Sequence, residues 1–390
     1  MHKNAKDNVL QHSEAKLELY KEYLERYLVI LGNSPFISKI NIFDIFCGTG
    51  IYQDGKAGSP IVAYNCIKEN KIRMEKLQKK QKPITLVIND GEPSFIKKVK
   101  EYLEKQNQQQ CFCDLEFYNM SAEEMLENVY VKLSHQEKNE RNLVFIDPYG
   151  YKEIHKSDLK KLLDNKQTEM ILFLPIAFMN RFKEVSLEDF DNPKYEKLRQ
   201  FIFEFFNEKH PILNNSKIDD IDFIKHIRDA LRFDNHFYST YYYIERSKST
   251  YFSLFFITHN LLGLEKILEA KWNLNEARGE GFNLPREAEL FDKLNLEEQK
   301  EDKLKELENL LIRFLGNNIN ISNCELYEFV LLNDFLPKHA NIVLEKLQKN
   351  NNLQVWDLEK DSNARRKAFY LGYDYYKERN RKVRYNINRK

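Results

Sequence analysis

The feature that most constrains this chain is an alternation running from residue 40 to residue 174. Short apolar runs at 40–46, 84–88, 115–118, 143–146 and 170–174 recur, with helix-length stretches between the first four. Buried strands separated by crossover helices predict parallel βαβ units, hence an α/β, doubly wound, mostly parallel sheet. Ahead of them, residues 12–31 set Leu17, Tyr20, Leu24, Tyr27 and Leu28 on one helical face, an opening helix. Ser59-Pro60 reads as an N-cap followed by proline at the first helical position. Residues 238–245 and 251–258 flank the polar run Arg246-Ser247-Lys248-Ser249-Thr250 and read as a hairpin. This pair brings the expected sheet to seven strands. Between 176 and 232 the pattern is irregular and helical, with Phe201, Phe203, Phe205 and Phe206 expected to face the core.

A chain of 390 residues is long for one core, so a large domain and a smaller one are expected, at 1–295 and 301–390. A charged stretch at 296–306 separates them. Beyond it, Leu304, Leu307, Leu311 and Phe314 form one helical stripe, and Ser322-Asn323-Cys324-Glu325 reads as a capping box. Pro337 opens a third helix with Ala340, Val343, Leu344 and Leu347 inward, followed by strands at 353–356 and 367–371. Three helices and a hairpin in this length make a winged-helix-like domain. Five scattered cysteines (Cys47, Cys66, Cys111, Cys113 and Cys324) fit neither a disulfide framework nor paired zinc ligands. The nine histidines show no ligand spacing, so no metal is expected. No apolar run approaches the ~18 residues of a membrane span, and the start, Met1-His2-Lys3-Asn4, is not a signal peptide. The reading is a cytoplasmic protein with no membrane partner.

Chemistry concentrates at strand ends. Asp44-Ile45-Phe46-Cys47-Gly48-Thr49-Gly50 closes the first strand, where doubly wound folds bind a cofactor. Glycines at 48 and 50 let backbone approach a ligand that a Cβ would hold away. Position 53 is Gln, so the dinucleotide fingerprint is incomplete. A carboxylate such as Asp44 suits the sulfonium and amino groups of S-adenosylmethionine (SAM). After the second strand, Asp90, with Glu92 as second choice, is placed to accept ribose hydroxyls. Ser121, after the third, stands where an adenine-edge contact is expected, although capping a helix is its more natural local role. The fourth strand ends in Asp147-Pro148-Tyr149-Gly150. There a carboxylate and a carbonyl can accept N–H bonds from an exocyclic amine while the ring stacks on its base. No Pro-Cys dipeptide exists, which removes the usual context of a cytosine-C5 nucleophile.

Taken together these residues resemble the three-Cys-motif partner (TcmP) family of class I methyltransferase-like proteins. The likeness is carried by His12-Ser13-Glu14-Ala15-Lys16 with Tyr27-Leu28, Phe46-Cys47-Gly48-Thr49-Gly50-Ile51-Tyr52, Gly58-Ser59-Pro60, Ile146-Asp147-Pro148-Tyr149-Gly150, Asn180-Arg181, and the hairpin followed by Gly263. Five parallel strands finished by an antiparallel pair is the order expected of that class. Family members usually read Phe-Ala-Gly and Asp-Pro-Phe-Gly where this chain has Phe46-Cys47-Gly48 and Asp147-Pro148-Tyr149-Gly150. The resemblance implies SAM at Asp44, Gly48, Gly50 and Asp90, and a reaction centre at Asp147 and Pro148; Phe46 and Ser121 complete the expected cofactor site and Tyr149 the expected reaction centre. It also implies a partner protein bearing three cysteines and similar to radical-SAM proteins.

Residues 365–390 hold ten Lys and Arg against Asp374 and Glu378, interleaved with Phe369, Tyr370, Tyr373, Tyr375, Tyr376 and Tyr385. Basic side chains track phosphates and rings stack on bases. A nucleic-acid partner, DNA or RNA, is expected at Lys338, Asn341, Arg365, Arg366, Lys367, Arg379, Arg381 and Lys382. Two functions follow. One is a methyltransferase acting on a base amine, in a bacterial or phage modification or defence setting. The other is a non-catalytic binding subunit of a partner enzyme.

Overall fold

The computed structural model describes residues 11–52, 54–109, 111–207, 209–214, 218–247, 250–283 and 292–388. The polar N-terminal stretch, Gln53 and the Lys248-Ser249 turn lie outside them. The chain divides into two compact units, Met1–Gly263 with Gly281–Leu284, and Leu264–Glu280 with Pro285–Lys390.

The first part of the chain runs α1 (Gln11–Asn33), β1 (Lys39–Asp44), α2 (Ser59–Lys76), β2 (Ile84–Asn89), α3 (Pro93–Gln109), β3 (Asp114–Tyr118) and α4 (Ala122–Ser134). It continues through β4 (Glu140–Ile146), α5 (Lys156–Leu163), β5 (Thr168–Leu174), α6 (Ile176–Glu188), α7 (Glu196–Phe205), α8 (Pro211–Asn214) and α9 (Asp220–Ala230). After these come β6 (Tyr238–Ser247), β7 (Thr250–Thr258), α10 (Leu261–Leu274) and β8 (Gly281–Phe282). The sheet order is β3-β2-β1-β4-β5-β7-β6-β8. Strands β1 to β5 pair in parallel, and β7 runs antiparallel to both β5 and β6. Every residue of β2 is buried and β1 is nearly so. Helices cover both faces of such a sheet, which is why these strands read as unbroken apolar runs.

Among the described residues the expected seven strands are eight. β8 adds in parallel beside β6, with Tyr243 opposite Gly281. A Cβ at 281 would collide with the Tyr243 ring and carbonyl, so only glycine permits the pairing. The cap of α2 is Gly58, one residue earlier than expected, with Ser59 and Pro60 inside the first turn. Of the four phenylalanines, Phe201, Phe205 and Phe206 are buried and Phe203 is exposed. Successive positions on one helix cannot all face the same core.

The second part holds α11 (Asp292–Asn317), β9 (Ile321–Ser322), α12 (Asn323–Leu332), α13 (Pro337–Lys349), β10 (Leu353–Asp357), β11 (Ser362–Asn363), α14 (Tyr373–Lys377) and β12 (Val383–Ile387). Its small sheet is ordered β11-β10-β12-β9. Two expectations fail here. The stretch 296–306, expected to separate the two parts, lies in the first half of α11, because its charges share a helix with the buried Leu307 and Leu311. Residues 367–371 do not form the returning strand. Lys367 and Tyr370 have φ of 64° and 52°, which breaks an extended run, and β12 returns instead. Asn323, fully buried, ties that return down. Its amide donates to the carbonyls of Tyr370 and Asn380, and its oxygen accepts from the N–H groups of Lys382 and Val383.

Candidate functional site

Strand order reverses between β1 and β4, and the crevice beyond their C-terminal ends is where such sheets place a ligand. Asp44 is the last residue of β1, Asp90 follows β2 and Asp147 follows β4. The three carboxylates therefore converge on one edge. Asp44 is fully buried, and neither of its oxygens has a hydrogen-bond partner among the described residues. Burial raises its pKa to about 7; the nearby Ser59 hydroxyl opposes the shift, as does Lys16, while Asp147 and Asp90 add to it. An ionisable group buried without a partner costs several kcal/mol in a finished core, so its retention points to a cation that meets it.

The glycine turn sits directly after. Gly48 and Gly50 have φ of 59° and 70°, the left-handed region. They do different jobs. A Cβ at Gly50 would strike Val99, and one at Gly58 would come within 2.9 Å of the Gly50 carbonyl oxygen. The Gly58 N–H donates to that oxygen at 2.6 Å, closing the loop, and Ile51 bridges to Ala57. Gly50 is thus a packing glycine. Around a Cβ at Gly48 there is nothing within 4 Å, so that position faces open space. Cys47 is buried beneath the turn, and burial pushes its thiol pKa far up.

Asp90 accepts from the N–H of Gly48 and from that of Glu92, both at 2.9 Å, so it braces the turn. Asn89, which carried no role in the sequence reading, laces three strand ends. It donates to the Ile45 and Met120 carbonyls and accepts from the Met120 N–H. Ser121 caps α4 in a reciprocal box with Glu124, whose carboxylate accepts the Ser121 N–H at 3.0 Å and its hydroxyl at 2.9 Å. Its hydroxyl is spent locally.

At the end of β4, Pro148 is buried while the Tyr149 ring is 74% exposed. The Phe46 ring meets it edge-on at 6.5 Å, which links the glycine turn to the Asp-Pro-Tyr turn. The structure adds Lys16 of α1 to the site. This lysine is buried, pairs with Asp147 Oδ2 and lies 4.9 Å from the Phe173 ring centroid. The neighbouring Glu14 pairs with Lys56 of the loop after the glycine turn. Sequence showed Lys16 as part of a matched stretch, but nothing local assigns it a partner 131 residues away.

In the second unit, Lys338, Asn341, Arg365, Arg366, Arg379 and Arg381 are exposed. Among the described residues Lys338, Arg365, Arg366 and Arg379 have no ion pair. Lys367 pairs with Glu345, Arg381 with Glu325 and Lys382 with Glu359. Two of the interleaved rings are not exposed for stacking. Phe369 and Tyr385 are buried, and Tyr370, Tyr373, Tyr375 and Tyr376 are half-buried against neighbouring groups. Among the described residues no three His, Cys, Asp or Glu side chains cluster as metal ligands, and no helix is long and apolar enough to cross a membrane.

No family model and no curated protein matches the chain. Solved structures similar to parts of it include a spermidine synthase from Thermotoga maritima, at 12% identity and TM-score 0.32, covering 72% of this chain and 74% of that one. Loganic acid methyltransferase with SAH aligns at 11% identity and TM-score 0.29, covering 79% and 93%. A DUF574 family protein from Streptomyces avermitilis MA-4680 aligns at 7% identity and TM-score 0.29, covering 62% and 82%. Likenesses this distant add nothing to the strand order, which by itself meets the expectation of five parallel strands closed by an antiparallel pair.

Proposed function

We propose that the first unit is a SAM-dependent methyltransferase acting on an exocyclic amine of a nucleic-acid base. The observation that carries this is Asp44, a buried carboxylate left without a partner beside a glycine turn whose Gly48 faces open space. These residues fit SAM, whose amino and sulfonium groups are cationic and whose methionine portion needs close backbone approach. What SAM supplies when bound is a methyl group on sulfur, taken by a nitrogen lone pair as the C–S pair returns to sulfur. The chain's own residues do the rest. Asp44 supplies negative charge in a dry setting, where it is worth more than in water. Asp90 and Asn89 hold the turn rigid. Asp147 accepts an N–H of the target, and Tyr149 offers an exposed face for the base.

For the second unit the order α11, β9, α12, α13, β10, β12, with β9 and β10 both paired to β12, supports a winged-helix reading. Its Lys338, Arg365, Arg366 and Arg379, without an ion pair among the described residues, support contact with phosphates. A non-catalytic binding subunit is the second reading, favoured by the Lys16 pair that already occupies one oxygen of Asp147.

Asp147→Ala is the deciding variant. Affinity for S-adenosylhomocysteine, which lacks the sulfonium charge, should hold by calorimetry, while tritiated methyl transfer to DNA or tRNA should fall on the order of 10²-fold, the cost of a modest misplacement. Loss of stability, binding and transfer together would reduce Asp147 to a turn brace. A parent silent on DNA, tRNA and ribosomal RNA, with and without a three-cysteine partner, would establish the binding subunit.

A further inference from the structure

Asp147 is asymmetric in a way that the reaction reading does not use. Its Oδ2 is taken by the Lys16 ammonium. Its Oδ1 has no partner among the described residues and is not one of the buried polar atoms, so it opens toward solvent. Lys16 comes from α1, held there by Leu17, Tyr20 and Leu24, which are all buried, and its ammonium also faces the Phe173 ring. Among the described residues it is the cation that acts on Asp44, whose other charged neighbours are Asp147 and Asp90. Tyr52 is the remaining titratable group that senses Lys16, Asp147 and Asp44 together.

We propose that Lys16 is a positioning and specificity residue that fixes Asp147 through Oδ2, presents Oδ1 to the acceptor nitrogen, and restricts the site to acceptors that are uncharged before transfer. The proposal rests on the methyltransferase reading. A carboxylate already neutralised by a buried lysine gains little from a second ammonium, and the two cations repel across a few ångströms. A neutral N–H donor, such as an aromatic exocyclic amine, makes the same hydrogen bond without that repulsion. Such a nitrogen also carries its lone pair at neutral pH, whereas an alkylammonium must first lose a proton. The proton released from an aromatic amine passes to Oδ1 or to the solvent that Oδ1 meets.

Three proteins test this: the parent, Lys16→Met, which keeps volume and removes charge, and Lys16→Arg, which keeps charge. Melting curves on each preparation establish that all three are folded. The first measurement is calorimetric and needs no turnover. Removing Lys16 leaves one more unbalanced negative charge beside the sulfonium. The ratio of SAM to S-adenosylhomocysteine affinity should therefore rise about fivefold in Lys16→Met, on the order expected for charges a few ångströms apart at high effective dielectric, and stay parental in Lys16→Arg. An unchanged ratio in Lys16→Met overturns the electrostatic role. The second measurement compares tritiated methyl transfer to nucleic acid with transfer to poly-lysine. The parent should favour nucleic acid, and Lys16→Met should move the kcat/KM ratio at least tenfold toward poly-lysine. A parent that methylates poly-lysine as readily as nucleic acid overturns the proposal. A parent that binds SAM but methylates neither sinks the enzyme reading and the acceptor specificity with it, and the calorimetric ratio then decides only the electrostatic role of Lys16. A parent that binds no SAM removes both.

Discussion

Two carboxylates in the same sheet, Asp44 fully buried and Glu169 half-buried, meet opposite fates. Glu169, near the start of β5, accepts from the Tyr23 hydroxyl and from the Thr258 hydroxyl at 2.7 Å, and Gly263 leaves room beside it. Asp44, at the end of β1, has no hydrogen bond to either oxygen among the described residues, and only the nearby Ser59 hydroxyl and Lys16 favour its charge. Burial raises the pKa of both, and in Glu169 the two donors oppose the shift. The difference teaches where to look for function. A buried acid with a full set of donors belongs to the core, because its desolvation is answered within the fold. A buried acid without them belongs to a ligand.

The largest expected effect breaks the structural half of this pair. Glu169→Leu leaves the Tyr23 and Thr258 hydroxyls without their acceptor, and stability should fall by about 2–4 kcal/mol in urea unfolding. SAM affinity per folded molecule should not change. If that affinity falls instead, Glu169 is not separate from the site.

Asp44→Asn attacks the other half. Removing a charge that has no partner should leave the melting temperature equal or higher. SAM affinity should drop on the order of thirtyfold, or about 2 kcal/mol, as expected when one partner of a desolvated charge contact is lost. A variant that melts lower and binds SAM normally would reverse the assignment of the two acids.

The two acids also differ in how pH reads them. Asp44 ionises at about 7 in the folded chain and near 3.8 when free. Its contribution to stability is therefore complete below pH 4 and is lost as pH rises through 7, the reverse of a salt-bridged aspartate. Ligand affinity runs the other way, because only the ionised form meets a cation. SAM binding should strengthen by up to tenfold per unit below pH 7 and level off above it. Asp44→Asn should flatten that curve. A pH-independent affinity in the parent would disconnect Asp44 from the cofactor.

The smallest effect carries the contrast into the second unit, where Arg365 and Arg366 have no ion pair among the described residues but Lys367 and Arg381 do. Arg365→Ser with Arg366→Ser should shallow the salt dependence of nucleic-acid binding by about two units of log–log slope. Lys367→Ser should change it less, since its charge is already answered by Glu345. Equal slopes for all three proteins would place the contact elsewhere. Truncating the tail is a poor substitute, because β12 and the buried Tyr385 lie within it.

Much of this was legible in the chain because the signals were local. Five apolar runs, the hairpin and the glycine turn follow from periodicity and composition over a few residues, and the strands lie within a few residues of where the pattern placed them. Proline at 337 marked the start of α13 for the same reason. The misses were also physical. The charged stretch at 296–306 looked like a separation between the two parts because charge dominates its composition, yet its helix needs apolar residues only on one stripe. The stretch 367–371 looked extended because nothing in its residue types announces positive φ at Lys367 and Tyr370. The rings of residues 369–385 looked available because sequence does not show which aromatic residues pack on one another.

The sequence by itself determined the class of fold, the edge of the sheet where chemistry would gather, and three of the acids that stand there. Only the tertiary structure decided what each acid does. Asp44 is orphaned, Asp90 braces backbone, and Asp147 is held on one side by Lys16. The reason is that burial and pairing are non-local: the groups that answer or fail to answer a charge arrive from other strands and helices, more than a hundred residues away in the case of Lys16. Local pattern encodes which residues are present at a site, and packing decides which of them are left free to act.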